Sequence, residues 1–320
     1  MSRSDVTRLQ HSVPVYSDLT NYRAPKTYGE THYSRMLVED VVNGLLPYRV
    51  SQTADNSAVL EPASREAERL VAEGLGRDQH WRLSEAVFDF LRQAAQTLLV
   101  FGEVPYEIVY LSETESGRVV GFDLSFIPPW SLSQKNNGWV QTVPEDYAQP
   151  FQTPSRIELP SNSVVHLRLP PSIGRYFPRM MEDLDLHGRH LYPEFGIPVA
   201  GSTTTDCGFD FGEWHRCQQI ALAQATQECG WNGRNSFSEV ITEYYFLYRF
   251  LKFEQFKLQL RTSILAQLNE VLRIAGARIG FTGQIVLHGL PNSAQIEQSM
   301  RELESGEVSF ADVMKPYLRY

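Results

Sequence analysis

Gln96-Thr97-Leu98-Leu99-Val100-Phe101-Gly102 is followed almost at once by Val104-Pro105-Tyr106-Glu107-Ile108-Val109-Tyr110-Leu111, then Glu113-Thr114-Glu115-Ser116-Gly117, then Val119-Val120-Gly121-Phe122-Asp123-Leu124-Ser125-Phe126-Ile127. The first piece reads as the end of a helix. Val87, Leu91, Ala94, Leu98 and Phe101 recur at spacings of four and three, which puts them on one helical face. Ser84 suits the N-cap, and Gly102 suits the left-handed residue that ends a helix. The next two apolar pieces alternate with period two and are rich in aromatic and β-branched residues, so they read as strands. Tyr106, Ile108 and Tyr110 share one face, and Phe122, Leu124 and Phe126 share one face of the partner. The polar run 113–117 is the turn between them.

Outward from this core, Pro128-Pro129-Trp130 closes the hairpin and Val164-Val165-His166-Leu167-Arg168-Leu169 gives a further strand. Gly138–Val143 and Arg156–Leu159 add shorter strand signals. Upstream, a short helix is expected over Tyr33–Asn43 and another over Pro62–Glu73, closing at Gly74. The remainder of 1–60 reads as extended or irregular. Downstream, helices are expected over Phe177–Phe195 and Phe211–Glu228, and the longest over Phe237–Ala275. Phe246, Phe250, Phe253, Leu260, Ile264, Leu268 and Val271 mark one side of that long helix. A break is expected near Lys252-Phe253. A strand at Gln284–Leu287 and a helix over Ser293–Glu304 complete the pattern. The fold class is α+β.

The chain has 320 residues, 42% hydrophobic and 21% charged, which suits one large or two modest globular domains. No apolar run approaches the roughly 20 residues that span a bilayer. The polar start, Met1-Ser2-Arg3-Ser4-Asp5, predicts no secretory signal and synthesis in the cytoplasm. Cys207, Cys217 and Cys229 are an odd set in a long chain, against a disulfide framework. Lysine plus arginine minus aspartate plus glutamate is 29 − 38, or −9. That excludes a globally basic nucleic-acid binder, though not a conduit whose walls let duplex slide past.

The order of the 96–169 stretch resembles the wing region of tailed-bacteriophage (or prophage) portal proteins. In that family a helix ends in glycine, and a Tyr-Glu-Ile strand follows, here Tyr106-Glu107-Ile108. A hairpin and a proline-bounded segment lead to a Val-Val-His-Leu-Arg strand, here Val164–Arg168. The resemblance covers residues 83–320. It implies a portal-like protomer with an N-terminal arm and start of the wing at 1–83, and a helix-plus-β wing at 84–170. A helical stem with a small clip (197–210) falls in 171–235, and a tunnel or crown helix with a C-terminal piece in 236–320.

It implies a homo-oligomeric ring, a dodecamer, at one vertex of the virion capsid. The expected partners are the major capsid protein, the terminase large subunit and a head–tail adaptor. Double-stranded DNA would pass through without sequence specificity, during packaging and during ejection of the viral genome. No cofactor, metal, membrane or catalysis is implied. Four basic residues of the long helix, Arg249, Lys252, Lys257 and Arg261, are the candidate channel or subunit-interface residues. Spacings of three and four pair them on helix faces. The same spacing also suits a solvated stripe paired with Glu243 and Glu254.

Enzyme chemistry has weaker sequence support. His187 and His190 lie three apart beside Asp183 and Glu182, and could serve a metal-dependent hydrolase. Cys207, His215, Cys217 and Cys229 lack the paired spacings of a zinc site. On a helix, His215 and Cys217 point about 200° apart. There is no Gly-x-Ser-x-Gly elbow, no Walker loop and no Gly-x-Gly-x-x-Gly. Another virion head–tail connector remains the alternative within the structural class.

Overall fold

The computed structural model describes residues 6–13, 31–46, 57–76, 82–135, 138–145, 153–189, 211–234, 242–306 and 309–314. The clip-like segment 197–210, with His190 and Cys207, lies outside the described residues. In chain order the elements are β1 (Val6–Leu9), α1 (His32–Gly44), β2 (Ser57–Glu61), α2 (Arg65–Gly76), α3 (Leu83–Phe101), β3 (Glu103–Glu113) and β4 (Val119–Phe126). Next come β5 (Leu132–Lys135), β6 (Gly138–Thr142), β7 (Arg156–Leu159), β8 (Val164–Arg168), α4 (Pro171–Gly174) and α5 (Phe177–Arg189). The chain ends with α6 (Phe211–Ala225), α7 (Glu243–Ile279), β9 (Gln284–His288), α8 (Ser293–Ser305) and α9 (Phe310–Met314). The protein is α+β.

Two compact units form, and neither is contiguous. One holds Met1–Thr27, Val42–Pro170 and Leu260–Leu290; the other holds Tyr28–Val41, Pro171–Gln259 and Pro291–Tyr320. Residues 84–170 therefore fall wholly in the first unit and 171–235 in the second, while 236–320 divides between them.

In the first unit β3 is the centre of an antiparallel four-stranded sheet. β4 lies along one side, pairing Tyr106 with Phe126, Ile108 with Leu124 and Tyr110 with Phe122. The other side is shared end to end. β8 takes Glu103–Glu107 and β1 takes Tyr110–Glu113. Between them the Ile108 N–H donates to Ser163 O at 2.7 Å. A three-stranded sheet, β5-β6-β7, and the pair β2-β9 complete the β structure.

Because side chains alternate along a strand, the central sheet has two faces of opposite character. One carries Tyr106, Ile108, Tyr110, Phe122 and Leu124, all buried. Phe90 of α3 packs on Tyr106, with ring centroids 5.5 Å apart. Phe281 stacks on Phe122, and Arg278 sits 4.3 Å above the ring of Tyr110. Val87, Leu91, Ala94 and Leu98 of α3 are fully enclosed, as their spacing predicts. Each fully buried leucine of that set contributes about 1.5–3 kcal/mol.

Gly102 does end α3, at φ +81°, with its N–H on Leu98 O. The start differs from expectation. Arg82 is the N-cap residue and makes no side-chain cap bond. Ser84 instead both accepts from Ala58 N–H and donates to Ala58 O, fastening β2 to the helix. Gly74 does not close α2, which continues to Gly76. A Cβ at Gly74 would come within 2.7 Å of the Phe122 ring. Its lack of a side chain serves close packing.

In the second unit, Phe177, Met180, Met181 and Leu184 of α5 are buried. Phe177 stacks on Phe256 of α7 at 6.4 Å between ring centroids. Leu247, Leu251, Leu303 and Val313 form a further cluster. The α7 helix runs unbroken through Lys252-Phe253, at 37 residues and about 55 Å. Its buried stripe also begins one residue off the expected one. Leu247 and Leu251 are enclosed, whereas Phe246 and Phe250 are only half-buried. From Leu260 onward, Leu260, Ile264, Leu268 and Val271 are buried as expected.

Candidate functional site

The four basic residues of α7 are held by partners in their own chain. Arg249 is 2% exposed. Its Nε donates to Asn232 Oδ1 at 2.6 Å and its Nη1 to Ala223 O at 2.8 Å. Its Nη2 reaches Thr226 Oγ1 at 2.6 Å and Trp231 O at 2.5 Å. The planar guanidinium thus organises the turn after α6, where the last carbonyls of a helix lack intrahelical donors.

Lys252 is half-buried, with Nζ 3.2 Å from Gln227 O and above the ring of Tyr248. Lys257 is buried against Glu254 Oε1 at 2.5 Å and sits above the ring of Phe253. Arg261 is buried and donates to Leu45 O at 3.1 Å. Three of the four are enclosed and the fourth is half-covered. Of the four, Lys257 is paired with a carboxylate, while Arg249, Lys252 and Arg261 donate to neutral acceptors.

His187 and Asp183 are half-buried on α5. The nearby carboxylate of Asp185 is used structurally, accepting from the Thr31 hydroxyl at 2.9 Å and from the Ser34 hydroxyl. Among the described residues no group of three or more His, Cys, Asp or Glu side chains is placed to hold a metal ion. Cys217 is exposed and Cys229 buried. Burial pushes the Cys229 thiol up to about 11, so it stays protonated near neutrality. His215 faces Gln219 at 2.9 Å, and Cys217 faces Glu213.

A different constellation occupies the second face of the central sheet. Glu107, Ser125 and Asp123 alternate with the apolar residues of β3 and β4, and Gln141 joins them from β6; all four are buried. Their partners come from residues 8–13. Arg8 Nη2 reaches Asp123 Oδ2 at 2.5 Å, and Gln10 Nε2 donates to Ser125 Oγ at 3.1 Å. Glu107 Oε1 accepts the His11 N–H at 2.9 Å and lies 2.8 Å from His11 Nδ1. Its Oε2 accepts the Ser12 N–H at 2.7 Å. Gln141 grips Val13 in both directions, accepting from its N–H and donating to its carbonyl, each at 2.9 Å.

From sequence, most of 1–60 reads as an extended or irregular part of an N-terminal arm, and no residue of 8–13 stands out. One signal was present: a glutamate inside Tyr106-Glu107-Ile108-Val109-Tyr110. A charge on a strand with no outward-facing side must have a built partner.

At the far end of the sheet, His166 of β8 packs its ring on Trp139 of β6, with centroids 4.2 Å apart. Glu103 Oε2 lies 3.6 Å from its Nδ1. Among the described residues neither ring nitrogen has a hydrogen-bond partner. Desolvation lowers the His166 pKa below its ordinary value, Glu103 opposes that, and Arg168 adds to it.

No helix among the described residues is long and apolar enough to cross a membrane. No family model matches the chain, and no curated protein matches it.

Proposed function

We propose that this chain is a portal protomer. Many copies form a ring at one capsid vertex, through which DNA is packaged and later ejected, and on which the head–tail adaptor sits. The reading rests on one observation. The described residues of 96–126 and 164–168, within the stretch that resembles the family's wing, pack as one helix-and-sheet device. A helix is stopped by a left-handed glycine and passes directly into the central strand of an antiparallel sheet, whose neighbours are the hairpin strand and the Val164–Arg168 strand.

On this reading the protein works by geometry and carries no catalysis, metal or cofactor. A head-to-tail interface between copies closes into a ring when the rotation between neighbours is an integer fraction of a turn, and closure creates an axial hole. Duplex DNA passes without sequence readout. A protomer with net charge −9 favours passage over retention, because each phosphate held by a cation adds a salt-dependent sticking energy. The terminase large subunit supplies the work and the major capsid protein holds the wing.

Sedimentation velocity on the purified protein tests the reading. The expected species sediments at a large integer multiple of the single-chain mass, twelve for the dodecamer. A single-chain species, alone and in the presence of the major capsid protein, would remove it.

A further inference from the structure

The face of the central sheet that carries Glu107, Ser125, Asp123 and Gln141 is built as a receptor for an extended segment. Glu107 and Gln141 are 0% exposed. Their side-chain ends contact backbone atoms of residues 11–13, and Asp123 and Ser125 contact the side chains of Arg8 and Gln10. An ionised carboxylate inside a sheet costs several kcal/mol unless donors surround it. The donors that residues 11 and 12 bring to Glu107 supply that need.

The occupant's apolar contribution is small and sits at its end, where half-buried Val13 packs against Val143. Three of the four residues of β1 are exposed, and Leu9 is 43% exposed. Recognition is polar, fixes the register, and does not depend on how the segment is joined to the rest of its chain. Seventeen residues, 14–30, separate it from the next described residue. Fully extended, that length reaches about 55–60 Å.

We propose that this polar row is a subunit-exchange site: in the assembled protein it is filled by residues 6–13 of a neighbouring copy. The identical contacts then form between chains, which is how an element is exchanged between protomers at small free-energy cost. The proposal adds an inter-subunit strap to the ring reading above and rests on the chain being oligomeric.

A disulfide trap tests it. Thr7 and Ser112 are opposite one another in the β1–β3 ladder, so T7C and S112C place two thiols at cross-strand distance. Cys207 and Cys217 are replaced by serine; Cys229 is buried. Full-length T7C and S112C chains with different tags are co-expressed, and a chain carrying both substitutions serves as the control. On oxidation, exchange predicts a covalent species bearing both tags, and covalent multimers from the double variant. E107Q in the S112C chain is expected to lower the yield about tenfold, by weakening two charge-assisted hydrogen bonds.

A link confined within single chains of the double variant, with none between co-expressed singles, would overturn the proposal. Absence of any link would overturn it too, because the register would then be wrong. The particle mass of the same sample separates the two ideas: rings without cross-chain links remove the exchange alone, and single chains remove the ring.

Discussion

Glu107 and Arg249 are both charged, and both lie within the fold, yet they are satisfied over very different distances in sequence. Arg249 takes its partners from 223–232, the turn just before its own helix. Glu107 takes its partners from residues about a hundred positions earlier, His11 and Ser12. The first is a local staple that fixes the path of a turn. The second is a long-range latch, and it holds an extended segment whose apolar attachment is confined to Val13 against Val143. Burial alone therefore does not say whether a charge is satisfied locally or from a distant segment; the origin of its partners does.

Removing the staple is expected to have the largest effect. Arg249→Ala removes the Arg249 donors from Ala223 O, Asn232 Oδ1 and Thr226 Oγ1, leaves Trp231 O with the Thr226 hydroxyl alone, and opens a void. A loss of about 3–5 kcal/mol is expected, read as a lowered urea midpoint of the whole chain. Arg249→Lys should recover only a small part, since an ammonium cannot reproduce the fork.

Lys257→Glu comes next. It sets two carboxylates together at a buried position, against Glu254. About 3 kcal/mol of destabilisation is expected in thermal unfolding. A charge reversal there probes folding before it can probe a channel wall.

Glu107→Gln should cost about 1.5–3 kcal/mol in the hold on residues 6–13. Its signature differs from that of Arg249→Ala. Amide exchange should speed up at 6–13 while protection in β3, β4 and α3 is retained. Equal loss of protection throughout the sheet would erase the contrast between latch and staple.

The smallest effect is a pH dependence. The folded pKa of His166 lies below the unfolded value, so the unfolded chain binds more protons at mildly acidic pH. Stability from this group is present above pH about 6.5 and falls as the pH drops toward the lowered pKa. Urea midpoints at about pH 5.5 and 7.5 should differ less in His166→Phe than in the parent.

Much of the fold was legible because it rests on local patterns. The α3 stripe, Gly102 and the strands β3, β4, β6, β7 and β8 are specified by periodicity and by one left-handed residue, whereas β5 (Leu132–Lys135) went unread. The misses follow from non-local causes. β2 finds its partner in Gln284–His288, more than two hundred residues away, and five residues carry too little pattern to reveal that. Gly74 looked like a helix stop because a glycine's reason for being there, an aromatic ring from β4, is invisible in one dimension.

In α7 the aromatic residues obscured the phase. Tyr244, Tyr245 and Tyr248 crowd the same turns as Phe246 and Phe250, and the aliphatic pair Leu247 and Leu251 took the interior. The four basic residues showed their spacing but not their surroundings. Carbonyls at the end of α6 and beyond α1 capture Arg249 and Arg261, and no helical wheel contains those groups. The receptor row was the least legible. Its four residues come from three strands, and its ligand from a segment without apolar rhythm.

A closed ring would be visible directly in images of single particles. If the chain is a portal protomer, negative-stain electron microscopy of the purified full-length protein, alone and after co-expression with the major capsid protein that the proposed function implies, should show end views with rotational symmetry and a central hole wide enough for duplex DNA. Fields of single-chain particles or compact dimers in both preparations would contradict the account.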